Sequence, residues 1–198
     1  MFRNYANQTT ILLALTILLG SCGVSDYINR KKIVNATEKA PVKKETQVAS
    51  VTSSKCEVNE LRINRIIKYI NRVRSRQHTC GDKTYAPAPA ISWNSKLYLA
   101  ANGHSRDMAT HNLFSHTGSD NSSTGTRVTA TGYNWKAVAE NISGGTDTPE
   151  QTIDRWVASP GHCHNLMNPV YSEIGMACIV NRTSEYEIYW TLVLAHFK

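Results

Sequence analysis

The sequence predicts an α+β domain, a small and mainly antiparallel sheet with helices over both faces. Apolar residues recur at helical spacing after Asn59 and again after Ser95, and two apolar runs of strand length close the chain. No regular strand–helix–strand alternation connects them, so a parallel α/β sheet is not expected.

The 198 residues do not all serve that domain. Met1–Ser21 carries a single cation, Arg3, then the apolar run ILLALTILLG, and ends in small residues before Cys22. That is the pattern of a signal peptide rather than of a spanning helix. The ending Leu19-Gly20-Ser21-Cys22 resembles the bacterial lipoprotein signal, which implies that Cys22 is lipidated and becomes the mature N-terminus. Gly23 at the next position then implies the outer membrane rather than the inner one in a Gram-negative cell. Residues 22–55 are poor in aromatics and rich in Lys, Thr, Ser and Ala. Such a segment buries too little apolar surface to fold and reads as a lipid-anchored basic tether, spanning about 30 Å as a coil.

The domain proper, residues 56–198, opens with a helix from about Asn59. Ile63, Ile66, Ile67, Ile70 and Val73 form its apolar stripe, opposite Arg62, Arg65, Lys68 and Arg72. Gly and Pro in TCGDKTYAPAPA break it. A second helix is expected over Ser95–His111, with Leu97, Ala101, His104 and Met108 on one stripe. GSDNSSTGT reads as an exposed loop, Thr126–Ala130 as a short helical turn, and VAENI as a brief extended segment. Thr148-Pro149-Glu150-Gln151 is a capping box with Pro at the first helical position, so a helix runs on through Trp156 and Val157. Ser159-Pro160 restarts a short helix by the same logic. Strands over Ile174–Val180 and Tyr186–Phe197, joined by NRTS, complete the chain.

The net charge of +7 suggests nucleic acid until it is located. Arg3 lies in the signal, and residues 23–55 hold seven Lys or Arg against Asp26, Glu38 and Glu45, a balance of +4 that leaves +2 for Cys56–Lys198. A nucleic-acid reader carries its charge on the folded face, so no nucleic-acid partner is expected. A basic tether beside a lipid anchor suits an anionic membrane or wall polymer.

Five cysteines fit the same compartment. With Cys22 assigned to lipid, Cys56, Cys80, Cys163 and Cys178 form an even set with three possible pairings. Cys56 and Cys80 flank a helix about 25 Å long, which the few residues outside it barely fold back across. The expected pairs are Cys80–Cys163 and Cys56–Cys178, each tying one end of that helix to the later half of the fold.

The chemistry concentrates in Arg155–Gly175, where a Ser-Pro-Gly corner precedes His162, Cys163 and His164, and Glu173 stands at the entrance to an apolar run. Two upstream segments, around His116 and around Glu140, look built to meet it, because each lies beside a chain-reversing glycine. Two imidazoles near one or two carboxylates suit a divalent metal such as zinc, with His116 and His162 as ligands, or acid–base work near neutral pH. The plain alternative is a hydrogen-bonded polar cluster that fixes loops. A Cys163 nucleophile conflicts with the even cysteine count, and no Gly-x-Ser-x-Gly frame supports serine hydrolysis. His104 reads as a packing residue; His111 and His164 read as exposed.

Four motifs appear together and in order: NLFSHTGSD, AENI, SPGHCHNLMNP and SEIGMAC. Over about Glu60–Phe197 the chain resembles the CAP superfamily (cysteine-rich secretory proteins, antigen 5 and pathogenesis-related proteins), in particular its bacterial SCP-like members. The resemblance implies an α-β-α sandwich, a secreted or surface location, and a cleft of two histidines and two acids. His116, Glu140 and His162 match three of those positions. The family's Trp-x-x-Glu is Trp156-Val157-Ala158-Ser159 here, which leaves Glu173 as a spatial substitute for the second acid.

Three functions follow as expectations: an envelope-anchored binding module for a small lipid-like or wall-derived ligand, with or without help from a divalent metal such as zinc; a metal-assisted hydrolase; or an interaction protein with a vestigial cleft. The missing Trp-x-x-Glu acid favours binding.

Overall fold

A computed structural model describes residues 55–198. The expected signal, the expected lipidation site Cys22 and nearly all of the expected tether lie outside the described residues.

Helix α1 spans Glu60–Arg74. The Asn59 side chain caps it by accepting from the Arg62 N–H, and Ile66 and Ile70 are buried. Two short strands follow, β1 (His78–Cys80) and β2 (Lys83–Tyr85). Ser92–Trp93 forms a two-residue strand, β3, ahead of α2 (Ser95–His111), which Asn94 caps and Asn112 ends at φ 49°. All four stripe residues of α2 are buried, His104 among them. Helix α3 covers Thr124–Ala130 and strand β4 covers Trp135–Gly144. Thr148 caps α4 (Pro149–Ala158) by accepting from the Gln151 N–H, and α5 (Pro160–Met167) restarts directly at Ser159-Pro160. Strands β5 (Glu173–Val180) and β6 (Ile188–Phe197) close the chain.

The main sheet has the order β3-β5-β6-β4; β3 runs parallel to β5, and the other pairs are antiparallel. Alternate residues of a strand face opposite sides, and both sides are covered. Trp190, Leu192 and Leu194 of β6 join Ile66, Ile70, Ile153, Trp156 and Leu166 from α1, α4 and α5. Val193 and Ala195 join Leu97, Ala100 and Ala101 of α2 on the other face. The expected α-β-α sandwich is the observed one. Helix and sheet come very close at Gly175, where an added Cβ would run into the Tyr98 backbone nitrogen.

Both expected disulfides are present, Cys56–Cys178 and Cys80–Cys163. They bind the start of α1 to β5 and the segment after α1 to α5. Arg74, in the last turn of α1, is fully buried. Its guanidinium donates to the carbonyls of Pro89, Leu166, Asn168 and Tyr171, so one side chain holds three chain segments together without a carboxylate.

Several local expectations are corrected. The segment TCGDKTYAPAPA, read only as a break after the first helix, also contributes to the β1–β2 hairpin, which turns at Gly81, φ 63°. β4 is ten residues long rather than the few of VAENI, because β6 pairs along its whole length. β6 begins at Ile188 and not at Tyr186, since Glu187 turns with φ 57° and frees the Tyr186 ring to lie over Gly144. His164 is half-buried against Tyr85, its Nδ1 3.0 Å from the phenol oxygen, where an exposed side chain was expected.

Candidate functional site: a cleft on the edge of strand β4

Strand β4 is an edge of the sheet, and two consecutive residues near its middle point to opposite faces. Glu140 faces the α2 side, where its Oε1 lies 2.8 Å from His116 Nδ1 and its Oε2 accepts from Arg127 of α3 at 2.7 Å. Asn141 faces the other side, where its Nδ2 donates to the His162 carbonyl at 3.1 Å and its Oδ1 accepts from Asn165 at 2.8 Å. One dipeptide thus fastens the His116 loop on one flank of the edge and α5 on the other.

Glu140 is 7% exposed, so its environment decides its charge. Burial pushes the carboxyl up, but the His116 hydrogen bond, the proximity of the His104 ring and the charge and hydrogen bond of Arg127 outweigh it and hold the group below the usual carboxylate range. His104 lies 3.6 Å from Glu140 Oε1. Burial lowers its pKa despite that carboxylate. It is therefore neutral near pH 7, and its Nε2–H donates to the Ser115 carbonyl at 2.9 Å, supporting the loop that presents His116. His162 is also lowered, by burial first and by the neighbouring His116 charge second.

A groove of about 400 Å³ runs along this edge. Phe114 and Tyr186 form one wall, their rings 4.8 Å apart, and Arg155, Ser159 and His162 form the other; Ile142 and Gly144 of β4 make the floor. Phe114 is 44% exposed, a large apolar surface left open beside polar groups.

His116 and Glu140 are thus in direct contact, and His162 is close enough to feel the charge of His116. Glu173 does not join them. Its carboxylate accepts from Asn94 at the start of α2 and from the Tyr133 phenol at 2.6 Å; burial first, and this hydrogen bond second, drive that phenol's pKa upward. The expected second acid is a structural anchor, and its place beside Glu140 is taken by a cation, Arg127. This bears on the metal. Both oxygens of Glu140 are committed, one of them to a guanidinium, and among the described residues no three His, Cys, Asp or Glu side chains gather as a ligand set. The donor set does not fit zinc, which takes at least three protein ligands.

Residues 57–194 match the family model of the cysteine-rich secretory protein family, CAP. The chain belongs to that family. A Bacillus subtilis (strain 168) CAP relative, the uncharacterized protein YkwD, is 28% identical over 145 residues, 73% of this chain and 52% of that protein. The chain thus spans about half the length of this curated relative. Among solved structures, an extracellular SCP-domain protein from Bacillus anthracis str. Ames superposes with a TM-score of 0.56 at 24% identity, over 68% of this chain and 40% of that one. An outer surface protein from Borrelia burgdorferi gives 0.60 at 12% identity, over 72% of this chain and 98% of that one. At these identities the structures establish the CAP fold alone.

Three members of the CAP cleft were missed in the sequence. Arg127 and Tyr186 give no motif signal, whereas Phe114 stands two residues before His116 inside NLFSH and was legible there.

Proposed function

We propose that this chain is an extracytoplasmic, envelope-anchored CAP-domain protein, held through lipid on Cys22, whose β4 cleft binds a small lipid-like or wall-derived ligand. The observation that carries the reading is the exposed Phe114–Tyr186 ring pair, which lines one groove together with Arg155 and His162. Ligand sites combine apolar walls with a few convergent polar groups, and this groove does so. The two similar solved proteins, an extracellular SCP-domain protein and an outer surface protein, agree with the location.

The chemistry favours holding over cleaving. Glu140 is hydrogen-bonded, neutralised by Arg127 and kept ionised, so it orients His116 through Nδ1 in the manner of a positioning carboxylate. Among the described residues the cleft offers no second carboxylate to serve as acid. Incubation of the full chain with a lipid extract and a wall digest tests this. Recovery of a bound ligand unchanged is expected; release of cleavage products, abolished by His116→Ala, would transfer the site to the hydrolase reading.

A further inference from the structure

The groove floor is the outer edge of β4, and its hydrogen-bonding groups are used unevenly. Trp156 Nε1 donates to the Ile142 carbonyl at 2.9 Å, Arg155 donates to the Gly144 carbonyl at 3.1 Å, and Asn165 reaches the Glu140 carbonyl at 3.4 Å. In an antiparallel ladder the N–H and C=O of one residue point to the same side. The N–H groups of Ile142 and Gly144 therefore face outward with their carbonyls, while the next residue, Gly145, turns back to donate to Ile188 of β6. Neither outward N–H has a protein acceptor among the described residues. Side chains have satisfied the acceptors of this edge and left its donors facing the groove.

The charges agree. Arg155 and His162 line the groove, and among the described residues no acidic side chain does. Glu140 is occupied by His116 and Arg127, and Asp154, adjacent to Arg155 in the chain, is engaged by the Tyr69 hydroxyl. Among the described residues the Arg155 guanidinium uses one nitrogen, on the Gly144 carbonyl, which leaves donors of its fork free. Donors below, a cation on one wall and an aromatic pair on the other suit an elongated acceptor with an apolar side group.

We propose that the groove binds a short extended peptide ending in a free carboxylate, with an aromatic or large apolar residue beside that end. Resting on the reading of the cleft as a ligand site, this names the ligand's class. The peptide's oxygens accept from the Ile142 and Gly144 N–H groups, its carboxylate pairs with Arg155, and its apolar side chain lies against Phe114 and Tyr186. The two donors belong to alternate residues, about 7 Å apart along a strand, which is the repeat at which an extended peptide presents carbonyls to one side. A lone carboxylate on an alkyl tail uses only one of them.

The test is an amide-resolved NMR titration of the full chain with three probes: N-acetyl-Phe-Ala with a free carboxylate, its C-terminal amide, and octanoate. The free acid is expected to move the Ile142 and Gly144 amide protons downfield and slow their exchange. The amide and octanoate should bind about tenfold more weakly or worse, since each loses a charge-assisted or second hydrogen bond. Arg155→Gln should weaken the acid by a similar factor and leave the amide probe unchanged, in a spectrum otherwise like the parent's. Octanoate or the amide binding as tightly as the acid would overturn the proposal. So would an acid that leaves both amides unmoved while a lipid or wall fragment still shifts Phe114 and Tyr186, a result that keeps the cleft reading. Silence of the whole groove toward every ligand would remove both.

Discussion

Arg127 and Glu140 form an ion pair whose side chains are 12% and 2% exposed. Removing one partner of a buried pair strands the other charge, at a cost of about 3–5 kcal/mol. Arg127→Met is therefore expected to lower stability to urea by that amount and to loosen the His116 loop, whose carbonyl Arg127 also holds at 3.0 Å. A loss below about 1 kcal/mol, the worth of a surface pair, would contradict the buried assignment. Three groups here also set a pH dependence. Glu140 is held low, so its stabilising contribution is present above the ordinary carboxylate pKa and is lost as pH falls through its depressed value. His104 and His162 are held low as neutral groups, so folding is favoured above the ordinary histidine value and opposed as pH falls below it. All three act in the same direction. The Tm should fall from pH 7 to pH 5, and His104→Gln, which keeps a donor for Ser115, should flatten that slope; an unchanged slope would mean His104 is not held neutral. His116, Glu140 and His162 were legible because each sits in a motif beside a turn. Arg127 and Arg74 were not, because a buried arginine looks like any exposed one in a helix, and Glu173 misled because adjacency to a strand does not say which end of α2 it meets.

At the scale of elements, α2 rests on β5 through a position where a methyl group does not fit. An added Cβ at Gly175 would collide with the Leu97 carbonyl carbon and lie 2.5 Å from the Tyr98 Cα. These are backbone atoms of a helix packed on the sheet core, so they cannot step aside as a side chain would. Gly175→Ala is expected to cost at least about 3 kcal/mol in equilibrium unfolding, at the upper end for overpacking; near-parent stability would show that α2 sits farther from the sheet. The long helices were readable from their periodic stripes and, for α4, from the Thr148 capping box, whereas the Asn59 and Asn94 caps emerged only with the structure. The β1–β2 hairpin was not, because strands of three residues carry no measurable period, and β4 was underestimated because Trp135–Ala139 is only partly buried and does not alternate. Chain length excluded the local pairing, because a straight α1 separates Cys56 from Cys80, but it does not choose between the two pairings that remain; the observed one is Cys56–Cys178 with Cys80–Cys163.

On the scale of the whole molecule, two claims are separable, where the chain sits and what its cleft does. Fatty-acid labelling in cells is expected to mark the parent and not Cys22→Ser, and a parent that takes up no label would reject lipid anchoring. With +4 over residues 23–55 against +2 over Cys56–Lys198, the expected tether, and not the cleft face, is predicted to be the part drawn to anionic surfaces. The cleft claim is tested most directly by native mass spectrometry of the full chain after exposure to envelope lipids and wall digest, beside Phe114→Ala and His162→Ala. The parent should retain a discrete bound species that both variants lose; a parent that retains nothing, or variants that retain the same species equally, would contradict it.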